Sequence, residues 1–234
     1  MSYDGAYFRA RERWRDWRIE ARELIRLGRV EPGARVLEIG CGGGGLLRMV
    51  SARGARGVGV DTLEAALRLA RKNLDADGRG STRMSGENPR PFAGIRVPLF
   101  RISDDNNLPF TSSAFDAILG QHVVEHIAGA DAALREWHRL LKPGGYLALA
   151  TPNARYPDPA HFADANHTHI FSSAELTAAL ERAGFQVENC ITVFPYFTRL
   201  RFLRGIGIIG YNLFRRAPYW STRGRTLLIS ALKS

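Results

Sequence analysis

The amino-acid sequence predicts an α/β fold built on a mainly parallel sheet, and three observations carry that expectation. The first is Val36-Leu37-Glu38-Ile39, a short apolar strand that runs into Gly40-Cys41-Gly42-Gly43-Gly44-Gly45, after which Leu46 opens a helical pattern. Glycines accept φ > 0 and carry no side chain, so a ligand can lie against bare backbone there. The helix behind the turn points its unpaired N–H groups and the positive end of its dipole at the same spot. The second observation is Gly57-Val58-Gly59-Val60-Asp61 followed by a helical pattern over 63–74, which gives a βαβα rhythm with right-handed crossovers. The third is a later repeat of that rhythm, in which the strand Phe115-Asp116-Ala117-Ile118-Leu119-Gly120 precedes a helix and a strand over 146–150.

The remaining elements follow from periodicity and punctuation. Residues 6–28 read as one helix, with Phe8, Trp14, Trp17, Ile19, Leu24, Ile25 and Leu27 among many charges, and Gly28 marks its end. Glu31-Pro32-Gly33 turns the chain into the first strand. Gly54 closes the helix over 46–53. Residues 75–94 lack periodicity and read as a loop, with a third strand at 97–102. A short helix is expected over 123–127 and a longer one over 130–141, which stops at Lys142-Pro143-Gly144-Gly145. Ser172 or Ser173 caps a helix that ends before Gly184. Strands over 185–193 and 226–231 bring the candidates to seven. The whole of 1–234 is expected to be one domain, with a helical cap over 1–30, a ligand-binding core over 35–193 and a distinct segment over 194–225.

Composition narrows the functional classes. A chain of 234 residues, 45% hydrophobic and 24% charged, suits a single globular domain with a full core. No apolar run approaches the ~20 residues that span a bilayer, and no leader pattern opens the sequence. Two cysteines make neither a disulfide framework nor a zinc cluster, so a reducing cytoplasm is the expected compartment. The net charge of +10 suits an anionic partner, and an arginine-rich proteome explains it equally.

Gly40, Gly42 and Gly45 satisfy G-x-G-x-x-G with Asp61 downstream, so a dinucleotide-binding oxidoreductase has to be weighed. The surrounding carboxylates point elsewhere. Glu38 stands at the strand end, where it can orient the turn and meet a cationic ligand group. Asp61 can accept from ribose hydroxyls, and Ser103-Asp104-Asp105-Asn106-Asn107-Leu108-Pro109-Phe110 places further carboxylates where an adenine amine can donate. With VLEIGCGGG, Asp61, DDNNLPF before FDAI, Val124-Glu125-His126 and LLKPGGYLALATPN in this order, the stretch 35–193 resembles the class I S-adenosylmethionine-dependent methyltransferases, in their type 11/12 small-molecule branch. The resemblance implies a Rossmann-like, doubly wound sheet of seven strands, mostly parallel, with the last strand antiparallel. It also implies S-adenosyl-L-methionine as cofactor, the glycine turn near its methionyl part, Asp61 on its ribose and Asp104 on its adenine. The candidate cofactor residues are Glu38, Gly40, Cys41, Gly42, Gly44, Asp61, Thr62, Asp104, Asp105 and Gln121.

Methyl transfer from a sulfonium is an in-line displacement, so orientation and exclusion of water dominate, worth up to ~7–11 kcal/mol. A general base adds about 10²–10⁴-fold when the acceptor is a hydroxyl. Tyr7 and Phe8 are placed to cap the cofactor or to pack the first helix. Four of the six histidines fall at carboxyl ends of strands, where open α/β sheets bind ligands: His122, His126, His167 and His169 are the catalytic candidates. His122 is favoured as general base or acceptor-orienting group. Because His167 and His169 alternate around Thr168, only one can face a pocket from an extended chain. His122, Glu125 and His126 stand at i, i+3 and i+4, and with a later histidine they would make a four-ligand cluster. That run is similar to the motif of metal-dependent small-RNA 2′-O-methyltransferases, but His122 replaces its first glutamate, and no metal ligand is assigned.

The acceptor is constrained only in part. The Asn/Asp-Pro-Pro-Tyr clamp of nucleic acid N-methylation is absent after the fourth strand, and no Pro-Cys pair supplies a C5 nucleophile. Residues 194–225 interleave aromatic and aliphatic side chains with arginine and contain no acidic residue. Such a stretch suits a lid over a greasy pocket, a dimer contact or peripheral contact with an anionic membrane. The expected acceptor is a small, apolar, quinone-like, lipid-linked or sugar molecule methylated on oxygen, with RNA the less favoured partner.

Overall fold

In a computed structural model of the chain, the residues described are 5–12, 15–80, 97–104, 106–156, 165–195 and 223–234. The helices are α1 (Gly5–Glu12), α2 (Arg15–Leu27), α3 (Gly45–Ala52), α4 (Glu64–Gly80), α5 (Ala130–Leu140) and α6 (Ser173–Arg182). The strands are β1 (Arg35–Ile39), β2 (Arg56–Asp61), β3 (Leu99–Arg101), β4 (Phe115–Gln121), β5 (Leu141–Pro152), β6 (Phe185–Pro195) and β7 (Gly224–Lys233). They form one seven-stranded sheet in the order β3-β2-β1-β4-β5-β7-β6. β1 pairs in parallel with β2 and β4, while β7 runs antiparallel between β5 and β6.

Strand alternation sorts the core into two layers. Leu37, Ile39, Ile118, Leu147 and Leu149 face α5 and α6, where Trp137 and Leu134 are fully buried. Val36, Ala117, Leu119, Ala148 and Leu228 face α2 and α3, packing with Trp17, Leu24 and Ile25. By the same parity Glu38, Gln121 and Thr226 lie on the α2 side of the sheet.

The structure revises several boundaries. The helix expected over 6–28 is two, because its parts bury against different surfaces. Phe8 of α1 packs on Ala66 and Leu69 of α4, whereas Trp17, Ala21 and Leu24 of α2 cover the sheet. Gly28 does not turn left-handed; Arg29 does, at φ +47°. Gly28 sits in tight space, since a Cβ there would stand 2.7 Å from Leu119 Cδ2 and that side chain would have to shift. α4 runs on to Gly80, six residues into the expected loop, because Asp75-Ala76-Asp77 holds nothing that breaks a helix. The rest of that loop, 81–94, lies outside the described residues, as do Asp105 and most of 194–225.

The helix expected over 123–127 is a single 3₁₀ turn, Val124–His126, closed by His126 N–H to Val123 O and Ile127 N–H to Val124 O. Gly129 at φ +79° then caps α5. Lys142-Pro143-Gly144-Gly145 bulges out where the β4–β5 register shifts. Ser172 caps α6 in a reciprocal capping box with Glu175. Among the described residues no helix is long and apolar enough to cross a membrane.

Candidate active site

The glycine turn links β1 to α3 and forms one wall of a pocket. Gly40, Gly42 and Gly44 all take positive φ, between +51° and +79°, which lets six residues reverse the chain at the sheet's carboxyl edge. Asp61, at the end of β2, braces the turn: its Oδ2 accepts from Gly42 N–H (2.9 Å) and its Oδ1 from Leu63 N–H (2.8 Å). Gly44 faces away from the pocket, and a Cβ there would meet Ala70 of α4 at 3.2 Å. It packs on helix α4 and is not among the residues lining the pocket.

Two α1 side chains, one helical turn apart, lie over the turn. The Phe8 ring comes within 3.0 Å of where a Gly42 Cβ would stand. Glu12 Oε1 accepts from Gly45 N–H at 3.2 Å, so this carboxylate caps the start of α3. Glu38, 4% exposed, faces the same pocket, and its Oε2 has no hydrogen-bond partner. Burial, with Glu12 and Asp61 nearby, pushes the Glu38 carboxyl well above the usual range. Burial raises Glu12 and Asp61 as well. Three carboxylates thus converge on a small volume in a chain of net charge +10. An orphaned buried carboxylate oxygen is costly on its own, and it marks a seat for a cationic group.

Gln121 ends β4 and lines the pocket. Its Nε2 donates to Glu20 Oε2 (3.0 Å) and to Trp17 O (3.3 Å), while its backbone carbonyl accepts from Arg11 (3.2 Å). Glu20 of α2 is a junction. It also engages His122 Nε2 (3.0 Å), and its Oε1 accepts from Thr226 Oγ1 of β7 (2.8 Å). Burial opposes its charge, but His122 and the hydrogen bonds hold its carboxyl down at about 2. Sequence reasoning missed Glu20. The available signal was a glutamate at i+3 from Trp17, on the same helical stripe as Ala21 and Leu24.

His122 stands at φ +56°, a left-handed conformation uncommon outside glycine. Its Nδ1 lies 3.2 Å from Glu125 Oε1, so both ring nitrogens face carboxylates. Burial works against the charged ring, but Glu20 and Glu125 raise it to about 9. An imidazolium held in this way has no vacant nitrogen to take a proton at neutral pH, which argues against the general-base role expected for it.

The other three histidines separate. His126 and His167 come together with ring centroids 4.6 Å apart, and His126 Nδ1 lies 3.0 Å from the Asn166 carbonyl. His169 points outward, 51% exposed, edge-on to Phe171 and 4.0 Å from Glu175. Glu125 sits below the pair, its Oε2 accepting from Thr151 Oγ1 of β5 at 3.0 Å. Among the expected cofactor residues, Glu38, Gly40, Cys41, Gly42 and Gln121 line the pocket and Asp61 braces it. Thr62 and Asp104 are exposed; Asp104 Oδ1 accepts from Asn106 N–H (2.7 Å), which makes it a turn-former here. Cys41 is buried and its thiol is pushed up by burial and by Glu38, so it lines the pocket as a protonated thiol.

Known proteins resemble this arrangement. A family model described as a methyltransferase domain matches residues 7–189. A Mycolicibacterium smegmatis protein named "probable S-adenosylmethionine-dependent methyltransferase" is 30% identical over 166 residues, covering 69% of this chain and 56% of that protein. A Pseudomonas aeruginosa protein named ubiquinone biosynthesis O-methyltransferase is 31% identical over 173 residues, covering 68% of this chain and 67% of its own length. The chain therefore spans little more than half to two thirds of these relatives. A Mesorhizobium loti S-adenosylmethionine-dependent methyltransferase of known structure superposes with a TM-score of 0.63 at 19% identity, covering 93% of this chain and 97% of that one.

Proposed function

The chain belongs to the S-adenosylmethionine-dependent methyltransferases, and from that premise we propose that it methylates an oxygen of a small, apolar acceptor of the quinone-like or lipid-linked kind. The observation that carries the reading is the charge of the glycine-turn pocket. S-adenosylmethionine presents a sulfonium and an ammonium, and Glu38 and Glu12 offer carboxylates to them. A dinucleotide would instead bring its pyrophosphate against Glu12 and Glu38. The buried Glu38 oxygen without a partner fits the cationic cofactor and not the anionic one.

When bound, the cofactor supplies an electrophilic methyl with a neutral thioether as leaving group. Glu38 and the Gly40–Gly42 backbone would hold its amino-acid end, and Asp61 its ribose. Phe8 and Trp17 exclude water from that side. Gln121 and His122, fixed by Glu20, join the cofactor wall to Glu125, His126 and His167, where the acceptor would lie at the carboxyl end of β4. The acceptor class is supported by the Pseudomonas relative's name and by the apolar, arginine-rich composition of 194–225.

The test is incubation of purified protein with methyl-labelled S-adenosylmethionine and prenylated catechols, beside a lipid extract and total RNA. Label is expected in the catechol or the lipid fraction. Label confined to RNA, or to amines, would overturn the acceptor assignment.

A further inference from the structure

Helix α2 sorts its charges by sign. Glu20 and Glu23 face inward, 5% and 7% exposed; the first is engaged by Gln121, His122 and Thr226, the second by Arg26. Arg18, Arg22 and Arg26 face outward at i, i+4 and i+8, and Arg29 continues the row just past the helix end. Arg26 and Arg29 each touch one glutamate and remain 56% and 59% exposed. Arg18 and Arg22 are exposed and have no ion-pair partner among the described residues. No acidic side chain described on α2 is exposed.

A solvated helix face ordinarily sets a glutamate four residues from a lysine or arginine. Here the residue four positions beyond Arg18 is Arg22, and four beyond Arg22 is Arg26. Like charges at that spacing work against the helix, which holds only because Ala21, Leu24 and Ile25 pack under the sheet. A polyanion lying along the row relieves that repulsion.

We infer that this outer face of α2 docks the protein on an anionic lipid membrane. At 1.5 Å per residue the row is about 16 Å long, a flat contact and not a point. The apolar side of α2 is taken up by the sheet, so the helix cannot sink into the acyl layer as a free amphipathic helix does. The contact is therefore with head groups, and salt weakens it. RNA fits this face less well, because α2 exposes no described aromatic ring on which a base could stack; Trp17 is 9% exposed.

The use of the contact rests on the lipid-linked acceptor proposed above. Arg18 directly follows Trp17, which lines the cofactor pocket and whose carbonyl accepts from Gln121 at the end of β4. The row thus starts at the carboxyl edge of the sheet, and a membrane against it sets that edge beside the layer in which a prenylated substrate is dissolved.

Sedimentation of the full chain with mixed phosphatidylglycerol and phosphatidylcholine vesicles tests the surface, beside pure phosphatidylcholine vesicles and total RNA. Wild-type protein is expected on the mixed vesicles at low salt, in the supernatant at high salt, and never on phosphatidylcholine alone. Each arginine near such a surface counts for about fivefold in binding, so Arg18→Glu with Arg22→Glu should weaken it at least ~20-fold, while Arg18→Lys with Arg22→Lys stays within about threefold. S-adenosylmethionine affinity should be the same in all three proteins, which excludes misfolding as the cause. Mixed vesicles bound equally well by the Glu variant overturn the surface, and so does binding of RNA without binding of vesicles. Vesicle binding lost as expected, with no label entering prenylated catechols in the wild type, upholds the surface and removes the proposed acceptor. Label entering catechols by a wild type that ignores vesicles overturns the surface and leaves the acceptor standing.

Discussion

Replacing Glu20 should cost more stability than any surface change on α2. Its carboxylate accepts from Gln121 and Thr226 and pairs with His122, tying α2 to the ends of β4 and β7. Glu20→Leu keeps the volume roughly constant, removes one of the two carboxylates that hold the His122 imidazolium and leaves the Gln121 amide and the Thr226 hydroxyl without their acceptor in a buried site. Removing one partner of a buried ion pair costs about 3–5 kcal/mol. With a urea m-value of about 2 kcal/mol/M, the unfolding midpoint should fall by roughly 2 M. Glu20→Gln keeps an acceptor for Thr226 and loses only the charge-assisted bonds, so about 1–3 kcal/mol is expected. The carboxyl is held at about 2 against an ordinary 4.5. Its contribution is therefore complete above pH 4.5 and is lost as the pH falls from there towards 2. Urea melts of the three proteins at pH 7, 4.5 and 3 make the measurement. A Leu variant within ~1 kcal/mol of wild type at pH 7, or a gap that does not narrow at pH 3, would refute the reasoning.

Glu38 offers the opposite trade. Keeping its buried carboxylate charged is costly, so Glu38→Gln should raise the stability measured in urea melts at pH 7 by about 0.5–2 kcal/mol while weakening S-adenosylmethionine at least tenfold by calorimetry. Because its carboxyl takes up a proton well above the usual range, wild-type cofactor affinity should fall as the buffer is acidified and the stability advantage of the Gln variant should shrink; a pH-independent dissociation constant would contradict this. Gly28→Ala should cost about 1–3 kcal/mol in thermal or urea melts through its overlap with Leu119 and the Leu24 carbonyl, even though Gly28 needs no left-handed backbone.

The parallel sheet was legible because each buried strand is a short apolar run between glycine or proline stops, and those stops survive in the structure as positive-φ turns at Gly40, Gly54 and Gly184. Boundaries slipped where tertiary contact outweighed local pattern. Nothing in the sequence around Arg13 says that α1 leaves the sheet to pack on α4. The glycine turn was readable as the wall of a pocket, but not its division of labour, since Gly42 meets Phe8 while Gly44 meets Ala70. The histidine spacing placed the candidates at the carboxyl end of β4. It could not sort His122 from His126, because that depends on Glu20, which lies 102 residues earlier in the chain. Long-range electrostatic pairing of this kind has no periodicity to betray it, and a glutamate on an apolar helical stripe is the nearest thing to a sign.

The place of β7 has a consequence for how the molecule assembles. Residues 224–233 lie between β5 and β6, so the centre of one half of the sheet comes from the last stretch of the sequence. During synthesis β5 and β6 must wait with open edges until that strand emerges, a state prone to pairing with other chains. Thr226 on the same strand also completes the hydrogen bonds of Glu20. Helix α2, which lines the pocket through Trp17, is therefore locked by a residue made about two hundred positions after it, and a nascent chain has a finished glycine turn well before Glu20 is held.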